Sequence, residues 1–93
     1  MELPVDYTKL DYRERRRVRE EYIRIQNGLC YHCGKPLSGK PDSRVLSKSI
    51  NRELFPENFF KWPVHLHHSH ETGMTIGAIH SRCNAVLWQY YGE

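Results

Sequence analysis

Apolar positions along the chain fall into two helical stretches and one alternating stretch. Val18, Tyr22, Ile25 and Leu29 recur at i, i+4, i+7 and i+11, a stripe that predicts a helix from Asp11 to about Gln26 with this face on the core. Asp11 is a good N-cap, with Glu14 three residues on to close a capping box, and Asn27-Gly28 supplies a left-handed stop. Further along, His65, His67 and Ser69 alternate with Leu66, His68 and His70, the period of a strand. Thr72-Gly73 predicts a tight turn, Met74 to Ile79 a second strand, and Ser81 an N-cap for a helix from Arg82 to about Tyr91. Val86, Leu87, Trp88 and Tyr90 or Tyr91 would pack that helix on the hairpin. Residues 1–10 show no period and read as an irregular arm. Between the periodic stretches the pattern weakens: 38–43 reads as loop, and Val45, Leu46, Ile50 and Leu54 suit a short helix that Pro56 would end. Phe55, Phe59, Phe60 and Trp62 form an aromatic group read as a satellite core under this long loop, with stacking on unpaired bases as the other reading. The pattern is that of a single small α+β domain spanning 1–93.

Size sharpens the picture. At 93 residues such a chain buries too little apolar surface to be comfortably stable without help, and a structural metal would supply it. The three cysteines cannot all pair, and Cys30 and Cys33 stand in a Cys-x-x-Cys, so zinc in a reducing compartment is favoured over a disulfide framework. The apolar runs are too short for a membrane helix, and the start Met-Glu-Leu-Pro-Val-Asp lacks the basic and apolar regions of a signal peptide, so a cytoplasmic protein is expected.

The net charge of +3 is modest, but Arg13, Arg15, Arg16, Arg17, Arg19 and Arg24 crowd into the first predicted helix. Each reads singly as a solvated partner of Glu14, Glu20 or Glu21; taken together, two or three of them suit phosphate contact.

Chemistry concentrates between His65 and Asn84, which holds five of the six histidines and one cysteine. Metal binding and proton transfer are the usual reasons for such crowding. Cys30-Tyr31-His32-Cys33-Gly34 has the form of a zinc-knuckle half-site, with a redox motif as its rival. His80-x-x-Cys83 offers the other half, completing a Cys₃His set that tetrahedral zinc accepts. Alternatives for the fourth place are His32 or no residue at all. A closed four-ligand site would be structural, tying the end of the first helix to the start of the last.

The run His67-His68-Ser69-His70-Glu71-Thr72-Gly73, followed by Gly77-Ala78-Ile79-His80-Ser81-Arg82-Cys83-Asn84, resembles the ββα-metal motif of HNH endonucleases. It is most similar to the phage recombination endonuclease VII branch, in which Cys-x-x-Cys precedes the motif much as 30–33 does here. The resemblance covers about residues 12–37 and 64–91. His67 stands where that branch usually has Asp, and His80 where it usually has Cys. A histidine of the commoner pattern, about nine positions after the asparagine, would fall on Glu93, leaving two protein ligands for the ion.

The resemblance implies a metal-dependent DNA endonuclease. Cleaving a phosphodiester needs an activated water, neutralised charge on phosphorus and a stabilised leaving oxygen, which one base and one divalent ion supply together. By resemblance His68 is the general base, His67 and Asn84 hold the catalytic ion (Mg²⁺, Mn²⁺ or another divalent transition metal), and zinc on Cys30, Cys33, His80 and Cys83 is structural. Arg82 at the helix start is a phosphate-binding candidate, with His70, Arg13, Arg16 and Arg17 as further DNA contacts. His65 ranks behind His70. The expected partner is DNA, with a homodimer or a larger phage or host complex for double-strand cleavage. The competing readings are a non-catalytic zinc-knuckle module that binds nucleic acid and a structural zinc domain for protein contacts. The trio His67, His68 and Asn84 separates them from the enzyme, because binding alone needs only the cysteines and arginines.

Overall fold

The predicted capping box is where the fold starts to build. In a computed structural model covering residues 1–93, the Glu14 N–H donates to Asp11 Oδ1 at 2.8 Å and the Asp11 N–H donates to Glu14 Oε1 at 3.2 Å, opening helix α1, Tyr12–Ile25. Asn27 and Gly28 follow with φ of 56° and 74°, and the Gly28 N–H returns to the Ile23 carbonyl at 2.8 Å. This reversal changes the fate of the apolar stripe. Val18 and Tyr22 are buried, but Ile25, at the last position of α1, is exposed, and so is Leu29, because the chain has left the helical path by then; Ile23 packs on the core instead.

After the knuckle comes α2, Ser43–Leu46, and a 3₁₀ turn at Arg52–Leu54, two pieces where the sequence suggested one helix. Strand β1, Val64–His68, then pairs antiparallel with β2, Thr75–His80, and α3, Ser81–Tyr91, runs on directly. The register sets His67 opposite Gly77 and His68 opposite Thr75, so Ile76 is an extra residue on β2. The N-cap of α3 is His80 rather than Ser81: the His80 ring is committed elsewhere, and the buried Ser81 gives its N–H to the Pro63 carbonyl at 2.8 Å. Of the side chains expected to pack α3 on the hairpin, Val86 lies deep in the core, where Cys83 and Ala85 are buried with it. Leu87 packs at its margin, while Tyr90 and Tyr91 are exposed and Trp88 meets Phe55 edge-on at 5.5 Å.

The arm at 1–10 is a working part of the sheet. Asp6 bridges to Met74, and the Thr75 and Val5 backbones bond at 2.9 Å. The Thr75 hydroxyl accepts from the Val5 N–H at 3.0 Å and meets the Tyr22 hydroxyl at 2.9 Å, joining arm, β2 and α1. A second tie is Gln26, which donates to the Leu29 and Ala78 carbonyls at 2.8 and 2.9 Å and accepts from the Ala78 N–H at 2.9 Å. Replacing Gln26 by Ala is expected to cost about 1–3 kcal/mol, since the buried Ala78 N–H is left unpartnered while its carbonyl keeps the Tyr31 N–H; chemical denaturation of both proteins in parallel measures it. A loss below a few tenths would show that water replaces the side chain.

Only 16 of the 93 residues are buried, so the packing alone is thin for a stable domain.

Candidate metal centre and the groove beside it

The Cys30 knuckle turns through Gly34, whose φ is 77° and whose N–H donates to the Cys30 carbonyl at 3.0 Å. The Tyr31 N–H, donating to the Ala78 carbonyl at 3.0 Å, docks this turn on β2. The docking brings Cys30 and Cys33 to His80 and Cys83 at the β2–α3 junction, with all four donor atoms within 4.8 Å of one another. Individual separations are 3.7 Å for Cys30 Sγ to Cys83 Sγ, 3.5 Å for Cys33 Sγ to His80 Nδ1 and 3.7 Å for Cys83 Sγ to His80 Nδ1. A tetrahedron with Zn–S of about 2.3 Å and Zn–N of about 2.0–2.1 Å has edges of about 3.5–3.8 Å, so zinc fits this set.

The imidazole is prepared for it. His80 Nε2–H donates to the Pro36 and Gly39 carbonyls at 2.9 and 3.1 Å, which leaves Nδ1 unprotonated towards the sulfurs. A proton between the Cys30 and Cys83 sulfurs, which lie in hydrogen-bond contact, would hold the Cys30 thiol down and push Cys83 up. A cation would replace that proton. His32 is exposed and takes no part, and the three cysteines are free thiols rather than a disulfide.

Next to this centre β1 sends its histidines to both sides. Towards α3, His65 Nε2–H donates to the Phe59 carbonyl at 2.9 Å, so its Nδ1 accepts from the Asn84 amide at 3.1 Å. The Asn84 oxygen is thereby left for His67. Burial pushes the His67 pKa down, and the Asn84 contact opposes it. Burial lowers His65 as well, with Arg19 adding to the effect. His65, ranked last of the site histidines on sequence, thus orients the asparagine. Its signal was the two-residue spacing to His67.

On the opposite side His68 is half-buried. Its Nδ1–H donates to the Leu66 carbonyl at 3.4 Å, and its ring stacks on Tyr7 with centroids 3.7 Å apart and planes 5° apart. Arg15 covers the other face of Tyr7 at 3.9 Å and donates to the Tyr7 carbonyl at 3.3 Å. The outcome is a three-layer stack of guanidinium, phenol and imidazole. Burial is the main cause of a lowered His68 pKa.

His68, Asn84 and His65 open on a groove of about 650 Å³ whose charged wall is Arg15 and Arg19. These are not the arginines singled out from sequence. Arg13 and Arg17 are exposed on the outer side of α1, and Arg16 forms a solvated pair with Glu20 at 3.1 Å. Arg82 is not free at the helix start: its guanidinium donates to the Leu46 and Lys48 carbonyls at 3.4 and 3.0 Å, tying α3 to the α2 loop. His70 is exposed at the groove mouth, 5.3 Å from the His68 ring. His67 lies behind it, 6 % exposed, lining a smaller pocket with His70 and Glu93.

No protein-family model, curated protein or solved structure matches the chain. The chain is a small α+β domain with a two-stranded antiparallel sheet and a Cys₃His cluster able to hold a metal ion. No helix is long and apolar enough to cross a membrane.

Proposed function

We propose that this domain is a metal-dependent DNA endonuclease of the HNH, ββα-metal type, hydrolysing phosphodiester bonds by nicking or by double-strand cleavage. The observation that carries the reading is the setting of His68. Its Nδ1–H is spent on the Leu66 carbonyl and its face on Tyr7, so Nε2 is left with no protein partner, in a groove with two arginines and no carboxylate. In that tautomer Nε2 is the basic nitrogen. It takes a proton from water while the Leu66 carbonyl holds the ring in place.

His67 and Asn84 would hold the catalytic divalent ion, the asparagine through its oxygen because His65 occupies its nitrogen. Such an ion, when bound, neutralises charge on the phosphate and stabilises the leaving oxygen. His65 is then a positioning residue. Arg15 and Arg19 contact phosphate, and by family resemblance the products carry a 5′-phosphate and a 3′-hydroxyl. A nitrogen donor at 67 favours Mn²⁺, Co²⁺, Ni²⁺ or Zn²⁺ over Mg²⁺.

Incubating supercoiled plasmid with the protein and Mn²⁺ is expected to yield relaxed and linear forms. Retarded plasmid without strand breaks would instead identify a zinc-knuckle module that binds nucleic acid.

The stack gives a finer prediction. Tyr7→Ala should lower kcat roughly 2- to 10-fold with little change in KM, the range of one aromatic pair. Tyr7→Phe should restore it, because the ring and not the hydroxyl meets His68. Equal loss in both variants would show that the stack is not what positions the base.

A further inference from the structure

The groove in front of His68 carries more than a catalytic centre requires. Nine of its sixteen lining residues are hydrophobic, and no Asp or Glu is among them. Both tryptophans of the chain line it, Trp62 being 61 % exposed and Trp88 41 %, and Tyr12 is 75 % exposed at its rim. Phe55 and Phe59 form its floor, packed on one another at 4.7 Å. Arg19 makes no salt bridge, although it is partly buried there. The Lys61 ammonium lies 5.2 Å over the Trp62 ring.

Each half of this lining excludes simpler occupants. A purely apolar ligand would leave Arg15 and Arg19 without a counter-charge, and a phosphate ion would make no use of the indoles. In duplex DNA the phosphates face outwards and the base faces are covered by their neighbours, so the duplex could satisfy the arginines and leave the aromatic floor bare. Unpaired nucleotides present a phosphate and an open base face together. Aromatic side chains set beside cations are the general means of holding single strands.

We propose that the substrate is nucleic acid with unpaired nucleotides, a single strand whose bases stack on Trp62 and Trp88 while its phosphates lie along Arg15 and Arg19 towards His68. The proposal rests on the nuclease reading for what happens to the strand, but binding can be tested apart from cleavage.

Tryptophan fluorescence is the natural readout, since both indoles are in the groove. The protein is titrated with a short oligo-dT strand, and separately with a blunt duplex, with no added divalent ion, so that the structural metal stays and cleavage is not assayed. Quenching by the single strand at concentrations at least ~10-fold below those needed for duplex is expected. Trp62→Ala, at a side chain exposed enough to leave folding untouched, should weaken single-strand binding roughly 5- to 150-fold, the range for losing one base stack, as read by the anisotropy of a labelled strand. Duplex bound as tightly as single strand, or a Trp62→Ala protein with unchanged affinity, would overturn the proposal. Either result leaves plasmid nicking free to succeed. Tight single-strand binding in a protein that never cuts would support the groove assignment and defeat the nuclease reading.

Discussion

Removing the metal from the Cys30, Cys33, His80 and Cys83 cluster is expected to unfold the whole domain rather than loosen one corner. The four ligands join the turn after α1 to the junction of β2 with α3, so this one point fixes the two halves of the chain to each other. Structural zinc sites contribute about 10–16 kcal/mol of binding free energy at neutral pH, whereas a domain's net stability is about 5–15 kcal/mol. With only 16 buried residues the packing cannot make up that difference. Cys83→Ser should behave like chelation, because this thiol is completely buried between Cys30 and His80. Circular dichroism during heating, with chelator and then with zinc restored, follows the effect: the cooperative transition should vanish and return. A transition that survives chelation within a few degrees would mean that the apolar core holds the fold unaided.

The second large effect is expected at His68. Loss of a general base lowers turnover by about 10²–10⁴-fold, and His68→Ala should do so while the protein stays folded and binds DNA as before. The ring is only half-buried and lies on Tyr7 at the groove wall, not among the core side chains. Single-turnover cleavage with saturating Mn²⁺ measures the step directly, and a binding assay on the same variant separates chemistry from affinity. A variant that cuts at more than a tenth of the parent rate would remove His68 from the chemistry. His67→Ala should differ in kind, raising the Mn²⁺ concentration needed for half-maximal cleavage.

How much of this was legible in the chain depended on how local the interactions are. The start of α1 was readable because Asp11 and Glu14 satisfy each other across three residues, and its stop because Asn27-Gly28 can adopt positive φ. The cluster was readable because two pairs of ligands, each spaced by two residues, announce a common point even when fifty residues apart.

The misses share a cause. Charge density along α1 does not separate Arg15 and Arg19 from the other arginines, but each lies three residues before a buried position, Arg15 before Val18 and Arg19 before Tyr22, and so turns towards the sheet with it. The arm at 1–10 has no period to read: its partners are distant in sequence, Val5 meeting Thr75 and the Tyr7 ring meeting His68. The stretch at 38–63 was opaque for the same reason, since its structure is written in distant partners. The His65 ring finds the Phe59 carbonyl, the Arg82 guanidinium the Lys48 carbonyl and the Tyr90 hydroxyl the Ser49 carbonyl. None of these side chain to backbone contacts leaves a pattern in composition or spacing.

Two ions of different character are expected to share this scaffold. Crystals grown with Mn²⁺ and measured for anomalous scattering on both sides of the zinc and manganese absorption edges would count and place them in one experiment. A zinc peak enclosed by Cys30, Cys33, His80 and Cys83 is expected, with a separate manganese peak between His67 and Asn84. A zinc peak alone, with the manganese absent or bound away from these two side chains, would contradict that expectation.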